Sequence, residues 1–259
     1  MSALFVIGRD DKRDDQLAAR AAGLGYDVLR LPLLGTNGGR DRAKLEAWLK
    51  RPQPAAAIAW TSRRAAEALA AIALPALSGA LAKCPLFAVG AESAAPIEER
   101  GLSVESVAHH SSAKRLAEAV LARRETLGFT RVAFLHGDRA LPDFPEALEK
   151  AGVEVERFEL YETRYLSPDI GVIRAALTSR ARIVVAFLSP SGLEALERLL
   201  DPTQRDALRR EAIALSRGET TAEALASRGY RHVPSPRSDL TAFDSFALEA
   251  LQSSLRMAP

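Results

Sequence analysis

The chain has 259 residues, 47% of them hydrophobic and 26% charged. That is the composition of an ordinary globular protein, with enough apolar surface to offset chain entropy, and it excludes disorder as the main state. With 35 Lys and Arg against 33 Asp and Glu, the formal net charge of +2 argues against nucleic acid as a partner, which asks for a concentrated basic face.

Short apolar runs at 4–7, 28–33, 56–60, 86–89, 132–135, 155–161, 183–188 and 212–215 read as strands. Between them, apolar residues recur at three- and four-residue spacing, as in Leu17, Ala21 and Leu24, in Leu116, Val120 and Leu121, and in Leu193, Leu196 and Leu200. Gly25, Gly101, Gly152 and Gly229 follow such segments, where a left-handed helix cap favours glycine. The alternation predicts an α/β fold with parallel sheets covered by helices. Residues 35–39 and 161–169 are read as flexible breaks, and Pro52 and Pro54 as marking a turn before a strand. The single cysteine, Cys84, excludes an intrachain disulfide and a cysteine zinc cage and suggests a reducing compartment. The first apolar run is too short for a signal-peptide core and no run approaches a membrane span, so a cytoplasmic protein with no membrane partner is expected.

An internal repeat carries more information. Ser62 and Ser189 each follow a strand and open a helix, 127 positions apart. Gly90-x-x-Ser93-Ala94 matches Gly218-x-x-Thr221-Ala222 at 128, and Gly25 matches Gly152 at 127. Three matches near one spacing predict two similar α/β halves with a cleft between them, the place where such folds bind ligands.

The usual catalytic signatures are missing. The first strand leads into Gly8-Arg9-Asp10-Asp11, not GxGxxG; there is no GxxxxGK[ST], no GxSxG and no HExxH, so nucleotide, serine-hydrolase and metal chemistry lose their support. His109-His110 is read as a solvated loop, and His136 as opening a loop at a strand end. What recurs is a set of hydroxyl-bearing turns: Thr61-Ser62-Arg63, Glu92-Ser93-Ala94, Ser189-Pro190-Ser191-Gly192 and Glu219-Thr220-Thr221. Each alone is a helix N-cap. Four in repeated positions would also aim helix N-termini at a ligand, and such ends bind carboxylates and phosphates. Arg9, Arg63, Arg64, Arg139 and Arg217 near strand ends favour a ligand with several anionic groups.

These residues resemble the uroporphyrinogen-III synthase family. The matching segments are TSRRAAEA (61–68), FAVGAESA (87–94), GVEV (152–155) leading to LYET (160–163), FLSPSGL (187–193) and ALSRGETTAEAL (214–225). They stand in the family's order and span nearly the whole chain. The resemblance implies two α/β domains joined by a two-strand linker, one built from both chain ends, 1–34 with 166–259, and the other, 35–165, inserted. It implies a cyclising lyase that takes hydroxymethylbilane, a linear tetrapyrrole with eight carboxylates, to uroporphyrinogen III. The terminal hydroxyl leaves as water, an azafulvene cation forms, and attack by the substituted carbon of ring D inverts that ring through a spiro intermediate. No cofactor and no metal are implied, and a monomer that receives bilane from the enzyme forming it is expected. Tyr161 would be the catalytic hydrogen-bond donor to the leaving hydroxyl. Arg9, Ser62, Arg63, Gly90, Ser93, Arg139, Ser189, Ser191, Gly218, Thr220 and Thr221 would bind the substrate. Three positions depart from the family: Ser93 stands where threonine is frequent, Arg217 where isoleucine is commoner, and Glu219 where proline is common. The rival reading is a non-catalytic ligand-binding or regulatory protein of the same fold.

Overall fold

In the computed structural model the described residues are 3–9, 11–51, 55–72, 81, 83–107, 113–234 and 240–256. The chain divides into two compact units, residues 1–35 with 164–259, and 36–163.

The first unit holds strands β1 (Ala3–Ile7), β2 (Tyr26–Arg30), β9 (Ile183–Phe187), β10 (Ile213–Ser216) and β11 (His232–Pro234). They form one sheet in the order β11-β10-β9-β1-β2, parallel throughout. Every residue of β1 and of β9 is buried, and the reason is a helix layer on each face. Leu4 and Val6 pack with Ile173, Leu193, Leu208 and Leu225 from α7 (Gly171–Thr178), α8 (Pro190–Leu199), α9 (Pro202–Glu211) and α10 (Glu219–Ser227). Ala3, Phe5 and Ile7 point the other way, toward Leu17 of α1 (Asp15–Gly23) and Phe243 and Leu251 of α11 (Leu240–Arg256). A strand covered on both sides loses the apolar–polar alternation of a half-exposed one, which is why these runs are continuously apolar.

The second unit follows the same plan with β3 (Leu34–Gly38), β4 (Ala56–Trp60), β5 (Leu86–Ala88), β6 (Glu105–Ser106), β7 (Arg131–Gly137) and β8 (Glu154–Tyr165). Their order is β3-β8-β7-β4-β5-β6. Ile58 and Trp60 face α2 (Arg42–Leu49), α3 (Arg63–Ile72) and α4 (Ala91–Glu98). Ala57 and Ala59 face α5 (Ala113–Leu127) and α6 (Asp143–Lys150).

The internal repeat shows in the topology. Residues 3 and 131, 26 and 154, 56 and 183, 86 and 213, and 105 and 232 open equivalent strands, each pair offset by 127 or 128 positions. The order β2-β1-β9-β10-β11 is the counterpart of β8-β7-β4-β5-β6. In both sheets the strand order reverses at the centre, between β1 and β9 and between β4 and β7. The crevice beyond the carboxyl ends at such a reversal is where open α/β sheets take ligands.

Two readings of the sequence are corrected. Residues 35–39 do not form a flexible break: 34–38 are β3, at the edge of the sheet beside β8. Residues 161–169 do not begin a break at Tyr161, because β8 continues to Tyr165. Leu166 donates to the carbonyl of Leu33, and Gly39 to that of Leu160; one index falls as the other rises, so the two strands run antiparallel. A Cβ at Gly39 would overlap the backbone of Glu159, Leu160 and Tyr161. The glycine there serves close backbone approach, which its composition disguised as looseness. Pro52, Pro54, His109 and His110 lie outside the described residues.

Candidate active site

In the second unit the carboxyl ends of β4 and β7 and the middle of β8 converge. Trp60 ends β4, fully buried, and its indole N–H donates to the carbonyl of Ser93 at 2.7 Å. That bond satisfies a polar group that burial would otherwise penalise and ties the end of β4 to α4. Two residues on, Ser62 caps α3, its Oγ accepting from the N–H of Ala65 at 3.1 Å. The same Oγ lies 2.9 Å from the phenol oxygen of Tyr161.

Tyr161 reaches Ser62 from β8, across β7. The β7–β8 register shifts at this point. His136 faces Glu159, but Gly137 faces Tyr161, so Leu160 is an extra residue on β8. Strict alternation would send Leu160 and Tyr161 to opposite faces. The bulge lets both pack on the same core cluster, with Phe158 and Trp60. The ring then lies on Gly137, where a Cβ would overlap Cε2, Cζ and the phenol oxygen. The backbone closes the arrangement: Asp138 N–H donates to the Tyr161 carbonyl at 3.1 Å, and Thr163 N–H donates to Asp138 Oδ1 at 2.9 Å. Sequence reasoning named Tyr161 and Ser62 but missed Gly137 and the bulge. The pattern His136-Gly137 beside a long apolar run was the only signal.

The cations expected as ligands in this unit are Arg63 and Arg139. Arg63 is paired with Glu67, Nε to Oε1 at 2.8 Å, and its Nη1 lies 3.4 Å from the Glu92 carbonyl. Arg139 lies 3.7 Å from Asp138. Such partly exposed pairs are worth about 1 kcal/mol or less. His136 belongs to β7, not to a loop; it stacks on Phe134 with ring centroids 5.1 Å apart, and its Nδ1 lies 2.9 Å from the Gly137 carbonyl.

In the first unit, Ser189 follows β9 and caps α8. Its Oγ accepts from Gly192 N–H at 3.2 Å and lies 3.2 Å from Ser191 Oγ. At the end of β1, Arg9 grips Asp14 with two bonds, Nε to Oδ2 at 2.6 Å and Nη2 to Oδ1 at 2.7 Å. Asp14 is buried, so the charge of Arg9 is already answered within the protein.

The remaining two turns differ from the expected hydroxyl caps. Their caps are glycines, Gly90 at φ 74°, ψ 159° and Gly218 at φ 85°, ψ 158°, with no side-chain cap bond. The shared backbone is one that only glycine adopts without strain, and it explains why both repeats keep glycine here. Ser93 and Thr221 lie inside α4 and α10, at 8% and 1% exposure, whereas Thr220 is exposed. Glu219, also exposed, is the first residue of α10.

Among the described residues no group of three or more His, Cys, Asp and Glu side chains is placed to hold a metal ion, and no helix is long and apolar enough to cross a membrane.

A family profile described as uroporphyrinogen-III synthase HemD matches residues 15–243. Among curated proteins no significant match is found. A mutant, selenomethionine-substituted uroporphyrinogen III synthase from Thermus thermophilus is 21% identical, with 98% of this chain and 99% of that one covered and a TM-score of 0.67. The wild-type Thermus thermophilus enzyme in another crystal form is 22% identical over 98% of each chain, at 0.51. The uroporphyrinogen-III synthetase of Helicobacter pylori is 15% identical, with 96% of this chain and 100% of that one covered, at 0.59. These likenesses carry the fold; the profile, matching most of the sequence, carries the family. The chain belongs to the uroporphyrinogen-III synthase family.

Proposed function

We propose that this enzyme closes hydroxymethylbilane to uroporphyrinogen III with Tyr161 as the donor to the departing hydroxyl. The observation that supports the reading most is the placement of Tyr161 on Gly137, 2.9 Å from Ser62, beside the strand-order reversal of its sheet. A phenol seated there is held by a bulge, a bare glycine and a neighbouring hydroxyl, a fixed geometry of the kind general-acid catalysis needs. In the step proposed, the C–O bond breaks with its electron pair on oxygen and the phenol proton completes the water. The pyrrole carbon that makes the last bond releases a proton as its ring rearomatises, and the phenol is restored.

The bilane also closes spontaneously, without inversion, so the protein's main contribution is to hold the chain and decide which carbon attacks. For its carboxylates the reading assigns the turns that open α8 and α10 in the first unit, through Ser189, Ser191, Gly218 and Thr220, and Arg63, Gly90 and Arg139 in the second. Helix N-termini with unanswered N–H groups suit that task. Ser93 and Thr221 are buried within the helices that these turns open, and Arg9 is held by Asp14. The same reading has the protein working as a cytoplasmic monomer, taking the unstable bilane from the enzyme that makes it.

The test is to incubate the protein with freshly generated hydroxymethylbilane, chelator present and nothing added, and to separate the product isomers. Predominant type III is expected. Type I alone, at the spontaneous rate, would overturn the reading in favour of a non-catalytic binding protein.

A further inference from the structure

The hydrogen bonds around Ser62 settle more than where Tyr161 sits. A serine hydroxyl has one proton and two lone pairs. One lone pair takes the N–H of Ala65, a group that only donates. The contact with Tyr161 has two possible senses. If the phenol donates, Ser62 accepts twice and the phenol proton is consumed inside the protein. If Ser62 donates, the bonds run in one direction, from Ala65 N–H to Ser62 and from Ser62 to Tyr161, and the phenol proton is left to point at a ligand.

Either sense leaves one O–H over for an acceptor such as a bound hydroxyl, that of Ser62 or that of Tyr161, so the number of bonds is the same and polarity decides. Donation from the amino end of α3, with its partial positive charge, polarises Ser62 and makes it a stronger donor, since successive bonds in a chain reinforce one another. The ring occupies the space that a side chain at position 137 would take.

We infer that Ser62 is a positioning residue for the ring-closing reaction, donating to Tyr161 and fixing the direction of its proton, and is not a ligand for a substrate carboxylate. This rests on the role proposed for Tyr161 and replaces the carboxylate-binding role that the sequence suggested for Ser62. The consequence is a relay whose strength comes from a helix terminus and whose working end is the phenol.

The test compares Ser62→Ala, Ser62→Gly, Ser62→Thr, Tyr161→Phe and the double variant Ser62→Ala with Tyr161→Phe, in the full chain with fresh bilane. Ser62→Gly is included because glycine caps a helix nearly as well as serine, so it removes the hydroxyl while sparing α3. Ser62→Ala and Ser62→Gly should lower kcat about 10–100-fold, the range of a weakened general acid, with KM within about twofold. The fraction of type-I isomer should rise. Ser62→Thr should restore turnover, and the double variant should be no slower than Tyr161→Phe alone, because both changes break one chain. A raised KM with intact kcat in Ser62→Gly, or losses that multiply in the double variant, would overturn the relay while leaving Tyr161 as donor. Wild-type turnover in Tyr161→Phe would instead overturn the reading on which the relay rests.

Discussion

Gly137 faces Tyr161 across the β7–β8 pairing, and the aromatic ring rests on the glycine's bare backbone. Neither residue makes the site alone. The glycine supplies space, the bulge at Leu160 supplies direction, and the ring spans β7 to meet Ser62 beyond it.

Gly137→Ala should therefore act on chemistry more than on folding. Its methyl would occupy the position of the ring edge, and the ring must swing away from Ser62. Overpacking of this kind costs about 1–3 kcal/mol of stability, while displacing a catalytic group by an ångström costs about 100-fold in turnover. Denaturant melts and isomer-resolved kinetics on the same preparation separate the two effects. Wild-type turnover in Gly137→Ala would show that the ring need not lie where it does.

Much of the fold was legible because burial leaves a mark on composition. β1, β4 and β9, covered on both faces, are unbroken apolar runs that stand out from polar surroundings. The glycines after helices were legible for a backbone reason, and Gly25, Gly101, Gly152 and Gly229 all have positive φ. The short or half-exposed strands were not. β3 reads Leu-Gly-Thr-Asn-Gly, with three of its five residues exposed, and no propensity marks it; its pairing with β8 makes it a strand. Of the site, the residue types were legible and the partnerships were not. Ser62 meets Tyr161 across 99 positions, through a bulge that shifts register without changing the apolar pattern. Arg9 looked available to a ligand because nothing in the sequence pairs it with Asp14.

Ser189→Ala should show the opposite signature from Gly137→Ala. Ser189 caps α8 and lies beside Ser191, and its proposed role is to hold a carboxylate in substrate and transition state alike. Loss of uniform binding raises KM and leaves kcat. A hydrogen bond to a charged group is worth about 1.5–3 kcal/mol, or about 10–100-fold in KM. Losing the cap adds about 1 kcal/mol of instability, seen in melting and not in kcat. A fall in kcat at unchanged KM would move Ser189 into the chemical step.

Glu197, at 8% exposure, holds the far end of the first unit together. Its Oε1 accepts from Arg209 Nε at 3.0 Å, from Arg209 Nη2 at 2.7 Å and from the Tyr230 hydroxyl at 3.2 Å, and its Oε2 lies 3.5 Å from Arg228. Burial, and then the nearby carboxylate, push the Tyr230 phenol well above its ordinary range, so it serves as a neutral donor. Glu197→Ala should cost about 2–3 kcal/mol, below the full cost of breaking a buried pair, because Arg209 remains 27% exposed and keeps Asp206 at 3.6 Å. Tyr230→Phe should cost about 1 kcal/mol. Glu197→Ala combined with Arg209→Met should lose less than the two single losses added, since the stranded charge is gone. Simple additivity, measured by denaturant titration, would show that the pair is not coupled.

Asp244, on α11, gives a pH dependence with a definite sign. Its Oδ1 is buried without a hydrogen-bond partner. Burial chiefly, and then the charge of Asp14, raise its carboxyl above the ordinary 3.8, against the pull of Arg9, Arg217 and Arg20. A carboxyl raised on folding binds its proton more tightly in the folded state. Stability at this group therefore falls as pH rises from the unfolded value through the folded one, and the penalty is complete above both. Asp244→Asn removes the ionisation. It should raise the melting temperature at pH 7, with a gain that shrinks on acidification and is gone below about pH 4, where the unfolded carboxyl is protonated as well. Melting curves of both proteins from pH 4 to 8 read this directly. A gain that grew on acidification would mean that Arg9 and Arg217 outweigh burial, and that the carboxyl works as an anion in a network with Asp14.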